Sequence, residues 1–217
     1  MSLKKNRSCR FFILPTIALI AVCGFFLVYS ERSTIHFYVN QFHADWADTL
    51  FKYVTHLGDG AIFALAIPLA FVKNLRWFFV VACTAVIVLL VTAILKQWLF
   101  QGLPRPSLFL GEENLYLVPG VKMHTMNSFP SGHTTAAFAF YFVLCFLLAN
   151  KLGSFLLFVL AALVGFSRIY LSQHFLIDVM AGAMLGLICG YFAIALISSW
   201  KWNKLEATIQ DIVKGNA

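Results

Sequence analysis

Charged residues are scarce in this sequence. They make up 12% of its 217 residues, against about 25% in an ordinary soluble domain, whereas hydrophobic residues make up 61%. The mean hydropathy is +0.83. This composition excludes a soluble globular protein, a disordered chain and a small disulfide-rich scaffold. The sequence therefore indicates an integral membrane protein with several helices.

Acidic residues are the scarcer charged class, with 9 Asp and Glu against 16 Lys and Arg, and the net charge is +7. In a soluble protein such an excess would suggest a nucleic-acid partner. Here the basic residues stand in small groups between apolar runs. We therefore attribute them to membrane orientation and expect no nucleic-acid binding.

Cysteine is represented by five residues, an odd number, and none of them falls in a long polar loop. Cys9 lies in the basic N-terminal arm, and the other four lie inside apolar runs. We therefore expect buried thiols, with no disulfide and no thiolate metal site.

Long apolar runs divide the chain. A helix that crosses a membrane needs about 20 mostly apolar residues, and candidate spans are found at 11–30, 58–73, 77–98, 131–149, 152–170 and 178–200. The first run is longer than the apolar core of a signal peptide and is interpreted as an uncleaved signal anchor. These runs predict an all-α, six-span membrane bundle. It forms one domain over residues 1–217 and ends in a polar tail at 203–217.

Basic residues in short loops predict the orientation of the spans. With six spans, the loops on one side carry Lys4, Lys5, Arg7, Arg10, Lys73, Arg76, Lys151, Lys201, Lys204 and Lys214. Both termini are therefore predicted to be cytoplasmic. On the opposite side, residues 31–57 predict an amphipathic helix in the membrane interface, because Phe42, Trp46 and Leu50 recur every four residues. Residues 99–130, also on that side, predict an ordered loop.

Ionisable residues near apolar spans are costly to place and are treated as functional candidates. A group of them falls at the predicted outer face: Lys96, Arg105, His133, Arg168, His174 and Asp178. Taken singly, such residues are also typical of snorkelling cations and helix caps. Their shared position, opposite to the excess of basic residues, favours a functional site.

Three sequence blocks contain this group. They are Lys96 to Arg105-Pro106, then Pro130-Ser131-Gly132-His133, and then Ser167-Arg168, five residues, His174, three residues and Asp178. Together they resemble the K-x6-RP, PSGH and SR-x5-H-x3-D signature of the type 2 phosphatidic acid phosphatase superfamily, which includes membrane lipid phosphatases. The second and third blocks match in full. The first has eight residues in place of six between its Lys and its Arg.

The spacing of His174 and Asp178 suits nucleophilic catalysis. If the last span already runs through His174, both residues share one helical face, and Asp178 can hold one ring nitrogen while the other stays free. His174 is then predicted to attack phosphorus and form a phosphohistidine. A capping pair at the membrane interface is the alternative. His133 is predicted to protonate the leaving oxygen and then to activate water, and the resemblance implies the same role.

The other block residues are predicted to bind the phosphate. Arg105 and Arg168 offer planar forks, and Lys96 offers a more mobile cation. Ser131 and Gly132 begin a helix, whose free amide groups attract an anion. Because these groups balance the charge of a transferring phosphoryl group, no metal and no other cofactor is expected.

The remaining polar residues are given structural roles. Asp59, between two glycines, is interpreted as a cap or turn residue, with a place in the substrate cleft as the alternative. Histidines outside the blocks are interpreted as interfacial or loop residues: His36, His43, His56 and His124.

The sequence thus predicts a metal-independent phosphatase of the cytoplasmic membrane, with its site on the periplasmic or extracellular side. The loops leave no room for a large domain that binds a soluble substrate, so the partners are a lipid phosphate and membrane lipids. The resemblance implies phosphatidate, phosphatidylglycerol phosphate, isoprenoid diphosphate or lipid A, and the compact loops favour lipid A or undecaprenyl diphosphate. One alternative is a lipid phosphotransferase with an alcohol acceptor. Another is an anion transporter without chemistry, which His133 and the His174/Asp178 pair argue against.

Overall fold

The computed structural model describes residues 7–200, which fold into nine α-helices and contain no strand. The helices are α1 (Arg10–Tyr29), α2 (Arg32–Asn40), α3 (Asp45–Val54), α4 (Ala61–Lys73), α5 (Leu75–Ile94), α6 (Pro106–Leu110), α7 (Gly132–Leu148), α8 (Lys151–Tyr170) and α9 (Leu176–Ser198). The predicted all-α class is confirmed for this range. The polar tail predicted at 203–217 lies outside the described residues, as do five of the basic residues used for orientation, Lys4, Lys5, Lys201, Lys204 and Lys214.

The long helices are apolar enough to cross a membrane. Four qualify by length and composition within residues 7–200: α1, α5 with the π turn Leu95–Leu99 that extends it, α8 and α9. Helices α3 and α4, with the 3-10 turn Thr55–Gly58 between them, are bent by 51° and together would form a fifth span. Helix α7 is apolar but has only 17 residues. The protein is therefore a multi-pass membrane protein, and the count of six spans stays a prediction.

Helix α7 occupies the centre of the bundle. It contacts α5, α8 and α9, and most of its side chains are buried, including Phe138, Tyr141 and Phe142. From α1, the fully buried Phe12 packs on Phe138 and Phe142. Because neighbouring helices cover it, α7 has an apolar surface all round rather than an apolar stripe.

Glycines bring α9 directly against α7. A Cβ atom at Gly182 would lie 2.8 Å from the carbonyl oxygen of Ser131, and one at Gly186 would lie 2.6 Å from that of Thr135. Neither position has room for a side chain, so the two backbones are in contact, as in other membrane helix pairs with small residues four apart. The close approach sets the first turns of the two helices side by side. There the amide of Ser131 donates a hydrogen bond of 3.0 Å to the carbonyl of Asp178.

A buried carboxylate joins α3 to loop 99–130 and to α8. Asp48 accepts hydrogen bonds from the hydroxyl groups of Tyr116 (2.8 Å) and Tyr170 (2.5 Å), and it contacts Nδ1 of His43 at 3.2 Å. The opposite side of α3 exposes Trp46 and Leu50. Helix α3 is thus amphipathic, as predicted for Trp46 and Leu50, and its polar contacts lie on the side that faces the protein. Phe42 is not part of this helix, because it lies in the connection between α2 and α3.

His36 corrects an expectation. It was interpreted as an interfacial or loop residue, but it lies in α2 and is 1% exposed. Its Nε2 is 3.1 Å from the hydroxyl of Ser172, and burial lowers the pKa of His36 to about 4. A neutral imidazole at this position joins α2 to the turn between α8 and α9.

Candidate active site

His174 and Asp178 meet at the N-terminal end of α9. Nδ1 of His174 lies 3.5 Å from Oδ2 of Asp178, slightly beyond an ordinary hydrogen bond. Helix α9 begins at Leu176, so the condition that the span runs through His174 was wrong. The histidine instead lies in the turn before the helix, where its backbone amide donates to the carbonyl of Arg168 at 3.0 Å. The pair forms because this turn folds back over the helix start.

His174 is surrounded by protein and by positive charge. It is 1% exposed. Burial, followed by the charges of Arg105 and Arg168, holds the pKa of His174 well below its usual range. The imidazole is therefore neutral at neutral pH, and one ring nitrogen keeps a free electron pair. A nucleophile toward phosphorus requires this state.

Asp178 is held by two further donors that fix its carboxylate. Its Oδ2 accepts a hydrogen bond from the hydroxyl of Ser128 (2.5 Å) and from the backbone amide of Phe175 (2.9 Å). Sequence reasoning missed Ser128, which is 2% exposed. The only signal in the sequence was its place two residues before the second block.

Two arginine side chains converge beside this pair. Arg168 donates to the hydroxyl of Thr55 at 2.5 Å, and both Arg105 and Arg168 donate to Oε1 of Gln173, at 3.3 and 3.4 Å. Gln173 is 1% exposed and was not predicted as a site residue. It aligns the two guanidinium groups, whose like charges would otherwise repel each other. Nε of Arg168 is buried and has no hydrogen-bond partner within residues 7–200.

Loop 99–130 supplies Arg105 and reaches Lys96. Nε of Arg105 donates to the carbonyl of Met126 at 2.9 Å, and Nζ of Lys96 donates to that of Asn127 at 3.1 Å. Burial lowers the pKa of Arg105, against the opposing effect of Asp178. Lys96 lies in the π turn, and Gly102 follows with a φ of +76°. These two irregular turns accommodate the longer spacing of the first block, and Lys96 still interacts electrostatically with Arg105, Arg168 and Asp178.

The first turn of α7 contributes backbone amide groups to the candidate site, rather than the side chain of Ser131. Ser131 is 0% exposed, and its hydroxyl accepts from the hydroxyl of Thr134 at 2.9 Å. Since its amide also donates to the carbonyl of Asp178, Ser131 supports the helix start, and its predicted phosphate contact stays a prediction. The next amides, of Gly132 and His133, have no acceptor inside the helix. A Cβ at Gly132 would meet no atom within 4 Å, so open space lies beside it.

His133 stands next to a carboxylate that the sequence blocks do not contain. Its Nε2 is 3.1 Å from Oδ1 of Asp59. Asp59 follows the 3-10 turn before α4, as the turn interpretation expects, and its side chain also lines the cleft, as the alternative expected. No sequence signal linked it to His133, since the two residues are far apart in the chain.

Two cavities meet at His133 and Asp59. One, of about 390 Å³, is polar and opens among Lys52, Lys122 and Arg168. Its wall includes His124. Burial, followed by the charge of Arg105, lowers the pKa of His124. The other, of about 370 Å³, is an apolar groove between α4, α5 and α7, lined by Phe63, Val88 and Leu89 among others. A ligand with a charged group and an apolar chain fits this junction.

Comparisons with known proteins agree with the geometry. The sequence profile of the PAP2 superfamily matches residues 74–202. The chain is 28% identical over 160 residues to phosphatidylglycerophosphatase B of Bacillus subtilis. The aligned region covers 66% of this chain and 71% of that protein. The chain is also 38% identical over 64 residues to lipid A 4'-phosphatase of Porphyromonas gingivalis. This aligned region covers 30% of this chain and 27% of that protein.

The fold has a solved counterpart. The crystal structure of Aquifex aeolicus LpxE superposes with a TM-score of 0.64 and 26% identity, over 75% of this chain and 93% of that one. In sequence, the chain spans less than half the length of most of the curated relatives it matches.

Proposed function

The chain belongs to the PAP2 superfamily, and we propose that it hydrolyses the phosphate ester or diphosphate of a membrane lipid through a phosphohistidine at His174. Lipid A and undecaprenyl diphosphate are the first candidate substrates. The reaction takes place at the periplasmic or extracellular face of the cytoplasmic membrane, within a single membrane domain.

The junction at His133 carries this proposal. The imidazole borders both the polar cavity and the apolar groove. A lipid phosphate placed with its phosphate in the polar cavity beside Arg168 and its chain in the groove has its bridging oxygen beside His133. A small soluble phosphate would leave the groove unused.

The chemistry follows from the positions of the groups. Arg105, Arg168 and Lys96 neutralise the phosphate oxygens, and the Nδ1 side of His174 faces Asp178, so Nε2 attacks phosphorus. As that bond forms, the bond from phosphorus to the lipid oxygen breaks, and His133 protonates this oxygen. Water then attacks the phosphohistidine, its proton passes to His133, and phosphate leaves. Asp178 stabilises the charge on His174 at each stage.

Phosphate release by the purified protein in detergent tests this function. The panel contains lipid A, undecaprenyl diphosphate, phosphatidylglycerol phosphate and phosphatidate, with the dephosphorylated lipids identified by mass spectrometry. We expect free phosphate from at least one of them. Transfer to an added alcohol with no free phosphate would indicate the phosphotransferase, and absence of any product would contradict enzymatic function.

Activity is expected to survive chelation. The pocket cations supply the charge that a metal would provide in other phosphatases, and residues 7–200 contain no group of three or more His, Cys, Asp or Glu able to hold a metal ion. Turnover in 5 mM EDTA should stay within about twofold of the untreated rate. Vanadate, which adopts the trigonal-bipyramidal geometry of the transferring group, should inhibit competitively. Complete loss in EDTA that Mg²⁺ restores would contradict metal independence.

The orientation is tested by accessibility of single cysteines. In a cysteine-free background, Glu112→Cys in loop 99–130 should react with an impermeant maleimide in intact cells. Asn216→Cys, in the tail, should react only after the membrane is permeabilised, because the basic residues predict a cytoplasmic C-terminus. Labelling of Asn216→Cys by the impermeant maleimide in intact cells would overturn the proposed orientation.

A further inference from the structure

The Asp59 carboxylate lies between two imidazoles. Its Oδ1 is 3.1 Å from Nε2 of His133, and its Oδ2 is 3.0 Å from Nδ1 of His56, which is a hydrogen bond. Exposure of the side chains rises along this series, from 29% for His133 through 39% for Asp59 to 66% for His56. The series therefore runs from the reacting centre to the outer surface.

The fold holds Asp59 at this position. The preceding turn lies directly on the start of α7, since a Cβ at Gly58 would be 2.7 Å from the carbonyl oxygen of His133. The amide of Asp59 closes the turn by donating to the carbonyl of His56 at 3.1 Å. At the other end of the turn, Thr55 accepts from Arg168. The segment from Thr55 to Asp59 thus contacts both the phosphate-binding arginine and the second histidine.

The charged groups around His133 indicate what Asp59 does at this position. The ionisable groups that influence His133 come from several elements: Lys96 in the π turn after α5, Arg105 before α6, Arg168 on α8, His174 before α9, and Asp59 before α4. Burial first, and then the charges of Arg168, Lys96 and Arg105, oppose a positive charge on His133, whereas Asp59 favours it. The second acid of the site, Asp178, is occupied by His174, Ser128 and the amide of Phe175. Asp59 is the carboxylate within contact of His133.

We propose that Asp59, oriented by His56, is a positioning residue that turns His133 toward the leaving oxygen and, against burial and the nearby cations, favours the protonated form that delivers the proton. The inference rests on the proposed function. His133 gives its proton when the bond from phosphorus to the lipid oxygen breaks and regains one from the attacking water, so it alternates between charged and neutral forms. The fixed carboxylate stabilises the charged form, from which the first step begins.

Leaving-group dependence distinguishes this role from a structural one. In Asp59→Asn, kcat for an alkyl or lipid phosphate should fall by about 10- to 100-fold, because a poor leaving group needs the proton. For p-nitrophenyl phosphate, which leaves without protonation, kcat should change by less than about threefold. The basic limb of the kcat–pH profile with the lipid substrate should move to lower pH.

Further variants define the arrangement. Asp59→Glu keeps the charge and should recover part of the activity on the alkyl phosphate, and His56→Gln should show a smaller loss of the same kind as Asp59→Asn. Asp45→Asn, an acidic residue in the first turn of α3 and outside the site, is the matched control and should match the wild type.

The outcomes separate this inference from the proposed function. Equal losses for both leaving groups with an unchanged pH profile, or no loss at all, would overturn the role of Asp59 while the wild-type enzyme still releases phosphate. Absence of phosphate release by the wild type would overturn the proposed function, and this inference with it.

Discussion

His174→Ala should lower phosphate release from the lipid substrate by at least about 10⁴-fold, because it removes the group that forms the covalent intermediate. Rapid quenching with labelled substrate should trap phosphate on the wild-type protein and not on the variant. The buried imidazole is neutral and has one nitrogen facing Asp178, so no neighbouring group can take its place.

The control for His174→Ala must show that loss of activity does not come from loss of folding. The side chain is buried, contrary to the interfacial position expected from the sequence, so truncation to Ala leaves a cavity. His174→Gln fills more of the space and should be equally inactive while it elutes and melts like the wild type. Labelled phosphate retained on either variant would show that another residue is the nucleophile.

Asp178→Asn should lower kcat by about 10³- to 10⁴-fold with little change in shape. The amide oxygen can still accept from Ser128 and Phe175, but it cannot stabilise positive charge on His174, and Lys96 and Arg105 lose a counter-charge. Steady-state kinetics on the lipid substrate measure the effect.

A second variant checks that the charge of Asp178 is the cause. Ser128→Ala removes one hydrogen bond to the carboxylate and leaves its charge, so it should reduce kcat by only about 10-fold. A loss for Asp178→Asn no larger than that for Ser128→Ala would assign Asp178 a structural role.

The sequence predicted the proposed reacting groups better than the residues that support them. His133, Arg168, His174 and Asp178 could be identified because block spacing and rare charges near apolar spans are visible along the chain. Ser128 and Gln173 are ordinary polar residues, and their roles follow from which side chains a folded loop brings within 3.5 Å. The candidate span at 178–200 located the start of α9 to within a few residues, but the sequence did not show that His174 lies in the turn before Leu176.

The same limit applies to the fold. Apolar runs located every long helix to within a few residues, since burial in lipid requires about 20 apolar residues whatever the tertiary contacts. They could not indicate that α7 is central, that α3 and α4 are bent against each other, or that Asp59 contacts a histidine 74 positions along the chain. Those features depend on packing between elements.

The contact between the backbones of α7 and α9 has a consequence for altering substrate choice. Gly182 and Gly186 leave no freedom to separate the two helices that carry His133 and Asp178, so enlarging residues there would disrupt the spacing of the reacting groups. The opposite wall of α7 faces the groove lined by Phe63 and Leu89, where side chains can change size without moving the chemistry. Selection for new lipid chain lengths should therefore randomise α4 and α5 and keep α9 constant.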